Sequence, residues 1–174
     1  MKRINAKTKN IIYTALFSAL CTTATMIAFP AGIGYVNAGD IIVLLGAFML
    51  SPIQAASAAG IGSALADILS GYAIYAPATL IIKAIMALGA CYLSRWLRRI
   101  NVPAPLSIML AAVFAELCMC CGYLAYEWTV LGYGIAALSS IPANLTQAAF
   151  GCVGGMLLYY IMKSTKLTDK LPAM

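Results

Sequence analysis

Ten of the eleven Lys and Arg residues in this 174-residue chain stand where a membrane-threaded chain would hold them all on one side. They form three clusters: Lys2, Arg3, Lys7 and Lys9 at the start, Arg95, Arg98 and Arg99 in the middle, and Lys163, Lys166 and Lys170 at the end. Basic residues beside membrane spans stay cytoplasmic, so each cluster marks a cytoplasmic point and the chain crosses an even number of times between them. The eleventh, Lys83, lies inside an apolar stretch. A charge there is costly and by default marks function.

Lipid is the solvent that this composition demands. A soluble domain carries about a quarter charged residues, whereas this chain is 9 % charged and 63 % hydrophobic, with a mean hydropathy of +0.93. So much apolar surface does not fit into one small core. The net charge of +6 repeats the one-sided bias. With no aromatic-interleaved basic patch, it does not describe a nucleic-acid surface. The first apolar stretch is about as long as a full span and no small-residue cleavage site follows it, so a retained span is expected rather than a signal peptide.

Other classes fall away by what is missing. There is no histidine, which excludes a Ser-His protease and disfavours zinc chemistry. No G-x-x-x-x-G-K-[ST] loop is present, so the chain has no motor of that kind. Cys21, Cys91, Cys118, Cys120, Cys121 and Cys152 all sit in apolar stretches. Cys118 and Cys121 make a C-x-x-C without a second pair, so the cysteines read as small packing residues and neither metal nor cofactor is expected.

The apolar stretches cover about 10–29, 39–50, 53–70, 77–96, 105–126 and 140–162. They predict an all-α integral membrane protein over residues 1–174: one bundle of six transmembrane helices, both termini cytoplasmic, in a prokaryotic-type plasma membrane. The outer connections are then 30–39, 71–76 and 127–139, and none contains Lys or Arg. Residues 31–34 read as a flexible loop. The second stretch would reach only about 18 Å, against roughly 30 Å of bilayer, so it is either a partial span or a helix completed by the loop before it.

Tyr35, Tyr72, Tyr75, Tyr123, Tyr126, Trp128 and Tyr133 cluster toward the outer end, as an interfacial belt or as the lining of a site for a flat ring. Polar residues gather at compatible depths. Asp67 lies about one turn below the outer end of its segment, and Lys83 about two turns below the end of the next. Asn144 and Gln147, three apart, share a helix face. Glu116 lies near mid-membrane. A buried ammonium demands a partner, and Asp67 or Glu116 is expected to supply it. Asp40 reads as a helix cap and Glu127 as a solvated loop charge.

Small residues mark close helix approaches. Ala15 and Ala19, with Thr23 continuing the stripe, suit either bundle packing or an external partner. Ala55, Ala59 and Ser63, with Ala58, Gly62 and Ala66 beside them, suit packing within the bundle.

Three runs resemble the substrate-binding S components of energy-coupling factor (ECF) transporters, in the group that takes riboflavin, hydroxymethylpyrimidine and pyridoxine. They are Val36-Asn37-Ala38-Gly39-Asp40, the block from Gly60 through Asp67 and Tyr72 to Lys83, and Pro142-Ala143-Asn144-Leu145-Thr146-Gln147. Ala15-x-x-x-Ala19 is similar to that family's coupling motif. The resemblance implies a six-helix subunit that captures a vitamin or precursor at the outer face and docks on one transmembrane coupling protein and two ATPases. Its expected substrate contacts are Tyr35, Asn37, Asp67, Tyr72, Tyr75, Lys83, Glu116, Asn144 and Gln147, with Ala15, Ala19 and Thr23 for docking. Pyridoxine or hydroxymethylpyrimidine is favoured and riboflavin comes next. The rivals are a membrane enzyme acting on a lipid or lipid-linked precursor, with Asp67, Glu116 or Lys83 as acid–base groups, and a structural subunit of a larger complex.

Overall fold

The computed structural model describes residues 5–30 and 35–165. Lys2, Arg3, Lys166, Lys170, the loop at 31–34 and the side chain of Tyr35 lie outside the described residues. Six α-helices follow in order: α1 Ala6–Met26, α2 Gly39–Met49, α3 Pro52–Leu69, α4 Ala76–Arg99, α5 Ala104–Thr129 and α6 Ile141–Ser164. Three are long and apolar enough to cross a membrane on their own: α4, α5, and α6 together with the 3-10 helix Gly134–Ser140 that leads into it. In α1 the lysines, Asn10 and the Thr and Ser residues lower the hydropathy, and in α3 Gln54, Asp67 and the Ser and Gly residues do so.

The turns follow local chemistry. Ser51 opens α3 with Pro52 behind it, and the Gln54 carbonyl accepts from the Ser51 amide and hydroxyl at 3.2 and 2.7 Å. Asn101, at φ 63°, closes α4 in the left-handed conformation that asparagine tolerates. Gly71, at φ 85°, turns the chain out of α3, and the Tyr72 amide bonds back to the Asp67 carbonyl at 2.7 Å. That turn swings Tyr72 and Tyr75 over the end of the bundle.

Neighbours pack in the sequence α1–α3–α4–α5–α6, and α2 lies inside the arc, touching α1, α3, α4 and α6. Nine of its eleven residues are buried. A helix apolar on every side belongs in a core. About 16 Å long, it is enclosed by protein along its length. Small residues make the close approaches possible. A side chain at Gly62 of α3 would strike the Ser18 carbonyl of α1, where the Thr22 hydroxyl reaches the Gly62 carbonyl at 2.9 Å. Ala55, Ala58, Ala59, Ser63 and Ala66 are likewise buried within the bundle. The outward faces carry Ile81, Phe114, Leu117, Phe150, Val153 and Leu157, all exposed and apolar.

Three sequence expectations need correction. The first apolar stretch does not stay helical to residue 29: α1 ends at Met26 and Ala28–Pro30 forms strand β1. It pairs antiparallel with β2, Tyr35–Asn37, in the register Ala28↔Asn37. Three-residue strands are too short to show a period-two pattern, and Pro30 read only as a stop. Second, the 127–139 connection is mostly ordered helix, since α5 runs to Thr129 and the 3-10 helix begins at Gly134. Third, Glu127 is not a solvated charge. It is 8 % exposed, and its carboxylate accepts from the Ser140 hydroxyl at 2.5 Å.

Candidate binding site

Lys83, the one charged residue of α4's interior, lies 3 % exposed in the centre of the bundle. Its ammonium donates to Asp40 Oδ1, forming the only ion pair among the described residues. The expected partners were Asp67 and Glu116; the partner is Asp40, itself fully buried. Asp40 is therefore no surface cap. At the start of α2 the N-cap is Ala38, and Asn37 just before it accepts the Gly39 amide on Oδ1 at 2.9 Å. Asp40 sits in α2's first turn, where the positive end of the helix dipole also favours a carboxylate.

From this pair a polar relay climbs toward the end of the bundle away from Arg95, Arg98 and Arg99. Gln147 Nε2 donates to Asp40 Oδ2 at 2.5 Å. Gln147 Oε1 accepts from the Asn37 amide and side chain at 3.3 and 3.0 Å. One chain of contacts thus ties α4, α2, α6 and β2 together. Above Lys83 lies the ring of Tyr123, with its centroid 5.6 Å from the ammonium, a cation–π distance.

Over the relay opens a pocket of about 400 Å³. Gln147, Asn144 and Asn37 line one side, and Asp67, Ser70 and Thr79 another. Tyr72, Tyr75, Tyr123 and Glu127 line it too, with Thr25, Met26 and Ala28 from the end of α1 and the ribbon. The Tyr123 hydroxyl meets Thr79 at 3.0 Å, and the Tyr75 hydroxyl reaches Glu127 Oε1 at 3.4 Å. Burial first, and the Glu127 charge second, hold the Tyr75 hydroxyl above the usual phenol range, so it remains a donor.

Of the residues expected from sequence, Asn37, Asp67, Tyr72, Tyr75, Asn144 and Gln147 meet at this pocket. Lys83 lies beneath the pocket and takes no part in its lining. Glu116 lies in that same lower layer, 2 % exposed, beside Gly151 and Asp40. Sequence reading missed Thr25, Thr79, Ser70 and the relay role of Asp40. Thr79 was legible, since it precedes Lys83 by four residues and so shares its helix face. Of the six expected aromatic residues with described side chains, Tyr126, Trp128 and Tyr133 do not line the pocket. The Tyr126 hydroxyl instead donates to the Ile74 carbonyl at 2.6 Å. The six cysteines are unpaired, and the described residues contain no cluster suited to a metal.

An apolar helical bundle with one polar, tyrosine-lined pocket and a buried ion pair under it describes a membrane-integral binding protein. Residues 5–164 match the family described as ECF-type riboflavin transporter, S component, and the chain belongs to that family. Its members are substrate-binding transporter subunits, not enzymes, which sets the enzyme alternative aside. They bind vitamin-type substrates and associate with a module of a membrane protein and ATPases. A Pyrococcus woesei protein described as "Uncharacterized protein in gap 3'region" is 32 % identical over 142 residues, covering 82 % of this chain and 91 % of that one. A solved structure described as "Structure and mechanism of the S component of a bacterial ECF transporter" superposes with a TM-score of 0.74. It covers 91 % of this chain and 98 % of its own, and at 20 % identity it establishes the fold.

The relay makes a prediction about stability. Asp40→Ala leaves a buried ammonium without its counter-charge, and removing one partner of a buried pair costs about 3–5 kcal/mol. The single variant should melt well below the parent in detergent, and adding Lys83→Met should recover most of the loss. A single variant as stable as the parent would show that the pair is not formed.

Proposed function

We propose that this chain is the S component of an ECF-type vitamin importer, binding a small heteroaromatic vitamin or precursor in the pocket above Lys83. The observation that carries this reading is the pocket itself: a cluster of amides, carboxylates and tyrosines at one end of an otherwise apolar bundle. Hydrogen-bonding groups are expensive in such surroundings and persist where they meet a ligand. Tyrosines suit a flat ring, offering both a stacking face and a hydroxyl.

In this reading the helices form six crossings. The basic residues at the far ends of α1, α4 and α6 face the cytoplasm, and the pocket faces outward. Asn37, Asp67, Tyr72, Tyr75, Asn144 and Gln147 contact the ligand. Lys83 acts one layer below by holding Asp40 and, through it, Gln147. Tyr35, two residues before Asn37 in strand β2, is the further contact proposed from its place in the sequence. Glu116 belongs to the layer under the pocket. A volume of about 400 Å³ lies near the lower end of the range for small-molecule sites. It suits a single ring with short polar arms, so pyridoxine and hydroxymethylpyrimidine are the favoured substrates. Riboflavin, which the family description names, is next.

Energy would come from the ATP-driven coupling module, one transmembrane coupling protein with two ATPases. Ala15, Ala19 and Thr23 are exposed on α1 and line a groove of about 790 Å³ between α1 and α3. Its small side chains suit close approach by a partner helix, and the coupling protein is the proposed occupant.

Purified protein should be stabilised by at least one of pyridoxine, hydroxymethylpyrimidine, thiamine and riboflavin. A ligand at a hundredfold excess over its Kd adds about 2.7 kcal/mol, a clear rise in Tm. Absence of any shift, with calorimetry equally silent, contradicts the reading. Changing Ala15 or Ala19 to Trp should abolish uptake and co-purification of the coupling protein while leaving vitamin affinity within about twofold, well under the roughly 1.4 kcal/mol of a tenfold change. Unimpaired uptake in both variants would remove the docking assignment.

A further inference from the structure

We propose that the pocket accepts unphosphorylated, donor-rich ligands and rejects their phosphate esters, with Asp67 reading an N–H or O–H of the ligand. The inference rests on the vitamin-binding reading and adds the charge class of the substrate.

Two carboxylates line the pocket, Asp67 and Glu127, and among the described residues no Lys or Arg does. Lys83 acts on Asp67 only from the layer below, because Asp40 already takes its ammonium and Tyr123 lies over it. Every other described cation is at the start of α1, the last two turns of α4 or the end of α6. The amides of Gly39, Ala76 and Thr79 are already bonded, and Pro77 has none. A phosphate ester entering here would meet two carboxylates in a low-dielectric setting, with no cation in the pocket wall to pair with it.

The hydrogen-bond ledger points the same way. Both Glu127 oxygens already have protein donors, Ser140 and Tyr75. Gln147 is used at both ends, by Asp40 and Asn37. Asp67 has the Thr79 hydroxyl beside it, but its Oδ2 is buried and has no hydrogen-bond partner among the described residues, and the Thr25 hydroxyl is in the same condition. A buried acceptor left unmade is costly, so a ligand donor at Asp67 has the most to contribute. An exocyclic amine, a hydroxymethyl group or a ring N–H fits that role. A phosphate oxygen does not.

The test is calorimetry on matched pairs: pyridoxine against its 5′-phosphate, hydroxymethylpyrimidine against its phosphate, and riboflavin against its 5′-phosphate. For whichever free compound binds, its ester should bind ~30-fold or more weakly, equivalent to about 2 kcal/mol. Asp67→Asn should weaken the free compound and narrow the ratio. Glu127→Gln should narrow the ratio too, and it carries the charge test if Asp67→Asn does not fold. An ester that binds as tightly as its parent, or a ratio unchanged in the folded variants, overturns the inference and leaves the vitamin reading standing. Failure of all three free compounds and their esters, with thiamine silent as well, removes the vitamin reading and takes this inference with it.

Discussion

The buried ion pair between Lys83 and Asp40 is the constraint around which the bundle is organised. Two unit charges in an apolar interior are tolerated only when they meet each other and their remaining hydrogen-bonding positions are filled. That requirement brings α2 against α4 at one level. It recruits Gln147 of α6 to the second carboxylate oxygen and leaves Gln147 able to hold Asn37. The short second helix follows from the same demand. Its first turn must deliver Asp40 to the depth of Lys83, so the chain from α1 enters the bundle through the β1–β2 ribbon rather than at the membrane surface. Small residues complete the fit: a side chain at Gly151 would displace the Glu116 carboxylate and strike Asp40.

Such a pair is seldom the cheapest way to stabilise a core, since apolar replacements of similar volume often do as well. Here its value is positional. The pair fixes the amide of Gln147, which with Asn37 and Asn144 makes the polar side of the pocket. The floor is charged yet internally neutral, and the carboxylates of Asp67 and Glu127 stand above it. The pocket is thus separated from the ion pair by one layer of side chains, Tyr123 among them.

Much of this was legible in the chain. Apolar runs and their Pro and Gly punctuation placed all six helices to within a few residues. Asn144 and Gln147, three apart, do share a face, and Asp67, Tyr72 and Tyr75 meet because the Gly71 turn folds them over one end. What escaped was pairing across distance. Asp40 and Lys83 are 43 residues apart, and a carboxylate in the first turn of a helix carries the same local signature whether it caps that helix or neutralises a remote lysine. Glu127 misled for the same reason: beside Trp128 at a helix end it looks solvated, and only the fold of the 3-10 helix brings Ser140 over it. Local pattern reads periodicity and depth well, but it does not choose among several carboxylates at similar depth.

If the polar end of this bundle is a ligand pocket open to the exterior, its lining must be reachable from outside the cell. Ser70 lines that pocket without taking part in the relay, so Ser70→Cys in a background free of other cysteines reports on it directly. A membrane-impermeant thiol reagent applied to intact cells should modify this cysteine, and saturating substrate should protect it. Modification only after the membrane is opened, or a rate that no vitamin changes, would contradict the claim.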